Sequence, residues 1–265
     1  MLGQLIAEGN TAEVYEWGEK EVLKLFRKEF PKEGIEKEYQ VSQMIEKLGL
    51  PIPKTGQLIE HSGRYGIIYE RINGVSLLDK IMKNPLLVVK YSKQLANIHY
   101  KMHQTKVHGL FKYKDALEWN IRRTELTDIQ KSAVLQLLEQ LPEGETLCHA
   151  DFHPGNIIVN NNRICILDWM TAVKGQPAAD VARTLFLLKD SALPQGITGF
   201  AKIMLRLFRS RMAKVYLKQY TRLSGINRED IVKWRIPIEA ARLTEWIPES
   251  EKDFLLSEIN KAISN

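Results

Sequence analysis

The chain is poor in cysteine: its 265 residues hold only Cys148 and Cys165, both in apolar surroundings and without metal-site spacing. That excludes a disulfide framework and leaves two small apolar fillers suited to a reducing compartment. No apolar run approaches the ~18 residues of a membrane span, and the first residues carry neither a basic leader nor an extended apolar core. A cytoplasmic protein with no membrane partner is the expectation. Internal repeats and low-complexity tracts are absent, and the charged residues, 26% of the total, are dispersed rather than blocked, so no long stretch reads as disordered. Lys and Arg exceed Asp and Glu by 38 to 32, a net +6 that serves solubility as readily as a polyanionic partner. The basic residues Arg206, Arg209, Arg211 and Lys214 fall within an amphipathic helical pattern, and no nucleic-acid partner is expected. Oligomeric state leaves no readable trace.

What is present sorts into two kinds of pattern. The first 30 residues read as a three-strand meander: Leu2 to Ile6, Glu13 to Trp17 and Glu21 to Phe26, with a Gly-bearing first turn. Pro31 suits the start of a helix that Gly49, Leu50 and Pro51 end, and two further strands fit Lys54 to Glu60 and Tyr65 to Glu70. One antiparallel sheet with a helix on one face satisfies this order. After Asn73-Gly74 the helical period takes over. Residues 86–103 put Val88, Tyr91, Leu95, Ile98 and Met102 on one face, and residues 127–141 do the same with Ile129, Ala133, Leu137 and Leu141. Residues 105–124 are poorly periodic and stay unassigned. Helices over 199–221, 228–246 and 251–263 complete the chain. The fold class expected is α+β, with a small antiparallel-sheet lobe over residues 1–72 and a larger, mostly helical lobe over residues 73–265.

The chemistry concentrates in Cys148-His149-Ala150-Asp151-Phe152-His153-Pro154-Gly155-Asn156 and the apolar runs that follow. Ile157 to Val159 and Ile164 to Leu167 flank a polar loop of three Asn residues and Arg163, which is a hairpin pattern. Asn156 enters the first strand and Asp168 leaves the second, so the two side chains meet at the open end. Asp151 precedes them on a Pro/Gly loop that can curl back. Two carboxylates and an amide suit a hard divalent cation, with room left for phosphate oxygens, and an unused carboxylate can take a hydroxyl proton. The plainer alternative is that Asp151 and Asn156 cap a tight loop while Asp168 ends a strand.

This spacing resembles the catalytic and metal loops of the protein-kinase-like fold, in the version of the aminoglycoside phosphotransferase and choline kinase superfamily. The resemblance extends from Leu5 to about Leu255. It implies a bilobal protein-kinase-like fold, ATP and Mg²⁺ as cofactors, Asp151 as catalytic base, Asn156 and Asp168 as metal ligands, and His149 as a support of the catalytic loop. Ala150 stands where the family usually has Gly, and Met170 follows Trp169 less usually; no catalytic position is lost.

Other segments are consistent with it. Ala7-x-Gly9-x-x-Ala12-x-Val14 follows the register of a phosphate-cradling loop between two strands, although an ordinary hairpin turn explains it equally. Lys24 lies between large apolar neighbours; the resemblance assigns it to the nucleotide phosphates, while strand alternation alone leaves a solvent-facing role open. Glu38 falls in the middle of the apolar stripe Ile35, Val41, Ser42, Ile45 and Leu48, so a cation is expected opposite it, and Lys24 is the candidate. The resemblance makes Glu70 and Ile72 the backbone contacts to adenine at the hinge. His99 is expected to be a buried, hydrogen-bonded structural residue and His153 to steady its own loop. Asp180 is expected to cap the next helix and tie down the catalytic loop.

The function expected is transfer of the γ-phosphoryl group of ATP to a hydroxyl of a small-molecule acceptor. A cationic amino-alcohol or amino-sugar is favoured, because Glu118, Glu125, Asp128, Glu239 and Glu245 lie near Trp119 and Trp246 in sequence. The alternatives are a neutral or zwitterionic acceptor such as homoserine or methylthioribose, a non-catalytic nucleotide-binding or scaffolding protein, and a protein kinase. The last lacks an Ala-Pro-Glu motif and has little chain between Asp168 and Pro177 for a peptide platform.

Overall fold

In the computed structural model, which describes residues 2–160, 163–193, 196 and 198–264, the chain opens with β1 (Leu2–Glu8), β2 (Ala12–Trp17) and β3 (Glu21–Phe26). Pro31 stands at the N-cap of α1 (Lys32–Glu46), where its fixed φ suits helix entry and its missing N–H costs nothing. β4 (Thr55–His61) and β5 (Arg64–Glu70) are joined by Ser62 and Gly63, both at positive φ, 51° and 72°. That is the two-residue turn whose twist matches its strands. β6 (Val75–Ser76), α2 (Leu77–Lys83), α3 (Val88–Met102), α4 (Tyr113–Arg123), α5 (Asp128–Glu139) and β7 (Thr146–Cys148) follow. Then come β8 (Ile157–Asn160), β9 (Arg163–Ile166), β10 (Val173–Gly175), α6 (Pro177–Lys189), α7 (Gly199–Ser224), α8 (Arg228–Val232), α9 (Arg235–Arg242) and α10 (Glu249–Ile263). Asn161 and Asn162, in the loop expected from the sequence, lie outside the described residues.

Three helical expectations change. Residues 105–124 contain α4, whose buried side chains Tyr113, Leu117 and Ile121 recur every fourth residue. The stripe is too narrow, among charged neighbours, to stand out in the sequence. In α5 the buried side chains are Val134 and Leu138, whereas Ile129 is 82% exposed and Leu137 38%. Adjacent apolar pairs give this helix two possible faces, and packing against α4, α9 and α10 selects the other one. The helix expected over 228–246 is broken at Lys233 and Trp234, because Pro237 is tolerated only in the first turn of a helix and therefore sits in that of α9.

The chain packs as two compact units: Met1–Lys80 with Pro154–Thr171, and Ile81–His153 with Ala172–Asn265. In the first, the five antiparallel strands run in the order β1-β2-β3-β5-β4. Ala12, Phe26 and Ile67 pack with Ile35 of α1 on one face, and Leu23, Leu25 and Ile68 form a cluster on the other. A second, three-stranded sheet, β6-β8-β9, belongs to the same unit. The sequence-based division after residue 72 assigns the β8–β9 hairpin to the second lobe; its contacts group it with the first, since Val75 and Ser76 pair with Val159 and Ile158. The second unit is mainly helical, with α3 packed along α7 and a short β7–β10 ladder beside them. Trp234, Tyr216, Tyr220 and Phe152 are among its fully buried side chains. No helix among the described residues is long and apolar enough to cross a membrane.

Candidate active site

In the first unit, strand alternation puts Lys24 on the face of β3 that carries Phe26, toward α1, rather than with Leu23 and Leu25. Its Nζ donates to Glu38 Oε1 at 2.7 Å and to Asp168 Oδ1 at 3.0 Å. Glu38 is 1% exposed, and the same Oε1 accepts a hydrogen bond from the Tyr69 hydroxyl at 3.1 Å. Its Oε2 has no partner among the described residues. Burial works against the Lys24 ammonium, but the charges of Asp168 and Glu38 outweigh it and hold the group charged, its pKa above the ordinary lysine value.

The hairpin reaches the same group. Ile157 pairs with Ile166, and Leu167 N–H donates to Asn156 O at 2.8 Å, so Asn156 and Asp168 flank the open end of one ladder. Asp168 lies in the left-handed region at φ 59°, while Trp169, 3% exposed, anchors the turn by donating from Nε1 to Ile166 O at 3.0 Å. The Asp168 side chain is 42% exposed. A carboxylate and an amide carbonyl at a strand end are hard oxygen donors, a set that fits magnesium and leaves coordination positions for phosphate and water.

Gly9 and Lys24 do not meet through any described hydrogen bond. The Gly9 turn closes through Gly9 N–H to Ala12 O at 2.9 Å, and the Arg27 guanidinium holds Gly9 O, Asn10 O and the Glu8 carboxylate. A Cβ at Gly9 would meet only Ala12 O, at 3.6 Å, so packing does not demand glycine there. Glu70 is exposed; its N–H donates to Lys54 O at 2.9 Å and its Oε2 accepts from Lys54 N–H at 3.2 Å. Ile72, half-buried, follows Arg71, whose N–H is bonded to Lys20 O.

In the second unit the loop bearing Asp151 is fixed at every residue. Asp180 accepts from His149 N–H at 2.6 Å and Ala150 N–H at 2.8 Å, Arg183 Nε donates to Ala150 O, and Phe152 stacks on His99 at 3.9 Å. Ala150 sits at φ 61°, in the left-handed region that glycine adopts without steric cost. His149 is fully buried, and its Nδ1 accepts from Asp151 N–H at 3.3 Å. Burial raises the Asp151 pKa, but His153, 3.7 Å away, and the Arg183 charge pull it well below the usual carboxylate range. Asp151 is therefore ionised and able to orient a hydroxyl.

Asp180 does not cap α6, as the sequence suggests; the N-cap is Gln176 and Asp180 lies one turn in. Its carboxylate also takes His99 Nε2 at 3.1 Å and His103 Nε2 at 3.2 Å. The opposite ring nitrogens meet Tyr216 and Tyr220 hydroxyls at 2.6 and 2.5 Å. Burial, with the neighbouring His103, lowers the His99 pKa to about 3 against the pull of Asp180, so the ring is neutral. The His99 imidazole then donates from Nε2 to Asp180 and accepts from the Tyr216 hydroxyl at Nδ1. His103, Tyr216 and Tyr220 were not legible as part of the site; their only signal is the matched four-residue spacing of His99/His103 and Tyr216/Tyr220.

The acidic residues offered for an acceptor are largely engaged. Glu118 pairs with Arg122 at 2.7 Å, Glu125 with Lys252 at 2.7 Å, buried Glu239 with Arg235 at 2.6 Å, and Glu245 with both Arg183 and Arg242. The Trp119 ring already faces the Arg123 guanidinium.

The sequence matches the phosphotransferase enzyme family (APH) over residues 3–202. No curated protein matches it at a significant level. Among solved structures, aminoglycoside phosphotransferase APH(4)-Ia superposes with a TM-score of 0.66 at 18% identity, over 100% of this chain and 93% of that one. Amicoumacin kinase hAmiN, in complex with AMP-PNP, Ca²⁺ and Ami, gives 0.62 at 16%, over 98% and 87%. The streptomycin–ATP complex of APH(2")-IIa gives 0.60 at 16%, over 98% and 91%. At such identities the structural likeness is one of fold. The family match covers most of the sequence and contains the Lys24, Glu38, Asp151, Asn156 and Asp168 positions: the chain belongs to the phosphotransferase enzyme family.

Proposed function

We propose that this chain transfers the γ-phosphoryl group of ATP to a hydroxyl of a small molecule. The observation that carries the reading is the set Lys24–Glu38–Asp168, a cation positioned by one buried carboxylate and one exposed carboxylate. Lys24 would bind phosphate oxygens, with Glu38 fixing its direction. Asn156 and Asp168 would hold Mg²⁺, which supplies neutralisation of the phosphate charge. The Gly9 turn would offer backbone N–H groups to the phosphates, and the backbone at Glu70 and Ile72 would take adenine. Asp151 would align the acceptor hydroxyl and receive its proton as the new O–P bond forms and ADP departs with the electron pair of the broken bond. Positioning and electrostatics account for most of such catalysis. The loop that holds Asp151 retains all its supports, which argues against a non-catalytic scaffold.

For the acceptor, an amino-sugar or amino-alcohol is supported by the hygromycin B and streptomycin complexes of aminoglycoside phosphotransferases with this fold. The pairing of Glu118, Glu125, Glu239 and Glu245 with Lys and Arg favours a second reading, a neutral or zwitterionic acceptor. A coupled ADP-release screen over aminoglycosides, choline, ethanolamine, thiamine, homoserine and methylthioribose separates them. D151N is expected to lower turnover of any acceptor found by about 10²–10⁴-fold. Turnover unchanged in D151N would remove Asp151 as the base.

A further inference from the structure

The long helix α7 carries large apolar side chains on two opposite faces. Its inward face is clear: Met212, Ala213, Tyr216, Gln219 and Tyr220 are buried. The Arg209 guanidinium points the same way, donating to the carbonyls of Leu187, Leu188, Ser191 and Ala192 beyond the end of α6. At about 100° per residue, Phe200, Ile203, Met204 and Leu207 fall on the opposite side, within about 100° of one another. They are 76%, 57%, 48% and 60% exposed. Farther along, the same side carries exposed Arg211, Lys214 and Lys218. The outward face is thus apolar for about two turns and cationic thereafter. The 26 residues of α7 include seven Lys and Arg and no Asp or Glu.

We infer that this face of α7 docks on an anionic lipid bilayer. A row of large apolar side chains facing water, on a helix bearing only positive charge, matches an interfacial helix whose cations meet lipid phosphates while its apolar residues enter the headgroup boundary. A second copy of the chain fits less well, because it would bring cations against cations with no carboxylate on α7 to answer them. No helix among the described residues is long and apolar enough to cross a membrane, and an interfacial helix needs no such length.

Co-sedimentation of the full chain with large phosphatidylcholine vesicles, with and without phosphatidylglycerol, tests this. Binding is expected only with phosphatidylglycerol and is expected to weaken as salt is raised. I203S/L207S and K214E/K218E should each reduce partitioning about tenfold or more, with unchanged thermal midpoints and Mg-ATP binding showing that the fold is intact. Absence of binding by the wild-type chain at low salt overturns the proposal, as does wild-type binding by both variants. A dimer in sedimentation equilibrium that I203S/L207S dissociates also overturns it, since a second copy would then cover the face.

Discussion

Two charged assemblies in this chain bury ions in opposite ways. In the first unit, Lys24 holds one sealed partner, Glu38, and one open partner, Asp168, whose side chain is 42% exposed. In the second, Asp180 is fully buried and receives four donors, two imidazoles and two loop N–H groups, so nothing remains for it to exchange. A carboxylate saturated from within holds a backbone in place. A cation shared between a fixed and an exposed carboxylate can trade the exposed one for a ligand at moderate cost, because solvent already screens that side. The difference separates a structural ion from a working one, and burial of the partner marks it better than the charge itself.

Substitution at Asp180 should break the comparison most severely. D180N keeps the shape but turns one accepting oxygen into a donor among donors. A loss of about 3–5 kcal/mol is expected by denaturant titration, together with lost turnover. A folded, active D180N protein would show the network to be dispensable. E38Q probes the other assembly: turnover should fall while stability changes by about 1–3 kcal/mol in either direction, since the buried charge and its partner interaction disappear together. If E38Q lost stability as D180N is expected to, without a kinetic defect, Lys24–Glu38 would belong with the structural ions. A150G is the mildest change. Relief of the left-handed strain at φ 61° should outweigh the added chain entropy and raise stability by up to about 1 kcal/mol in thermal unfolding. A decrease would assign the methyl group a packing role instead.

Much of the first unit was legible because its signals are local. Strand alternation, the Pro31 start and the Ser62-Gly63 turn are each written in a few adjacent residues. Glu38 was placed by helical phase alone, and it is 1% exposed. The Asp151-x4-Asn156 spacing and the hairpin after it carried the metal-ligand expectation without any tertiary information. The second unit was read less well because its decisive contacts are non-local. Tyr216 and Tyr220 meet His99 and His103 across 117 residues each, and neither pair announces its partner. In α5, Ala133/Val134 and Leu137/Leu138 offer two equivalent faces, and only the neighbouring helices choose. The same limit applies to Glu118, Glu125 and Glu245, whose availability to a ligand depends on which arginine or lysine folds against them.

The pairing of Ser76 with Ile158 has a consequence for how the protein is made. The first unit is not a contiguous stretch of message: its small sheet and the Asp168 partner of Lys24 arrive about 80 and about 145 residues after the segments they join. At synthesis rates of about 5–20 residues per second, the leading five-stranded sheet waits several seconds for them. A fragment ending after residue 80 would expose the β6 edge and leave Lys24 with Glu38 as its only carboxylate partner from this pair. Excising or grafting this unit therefore requires carrying the distant hairpin with it.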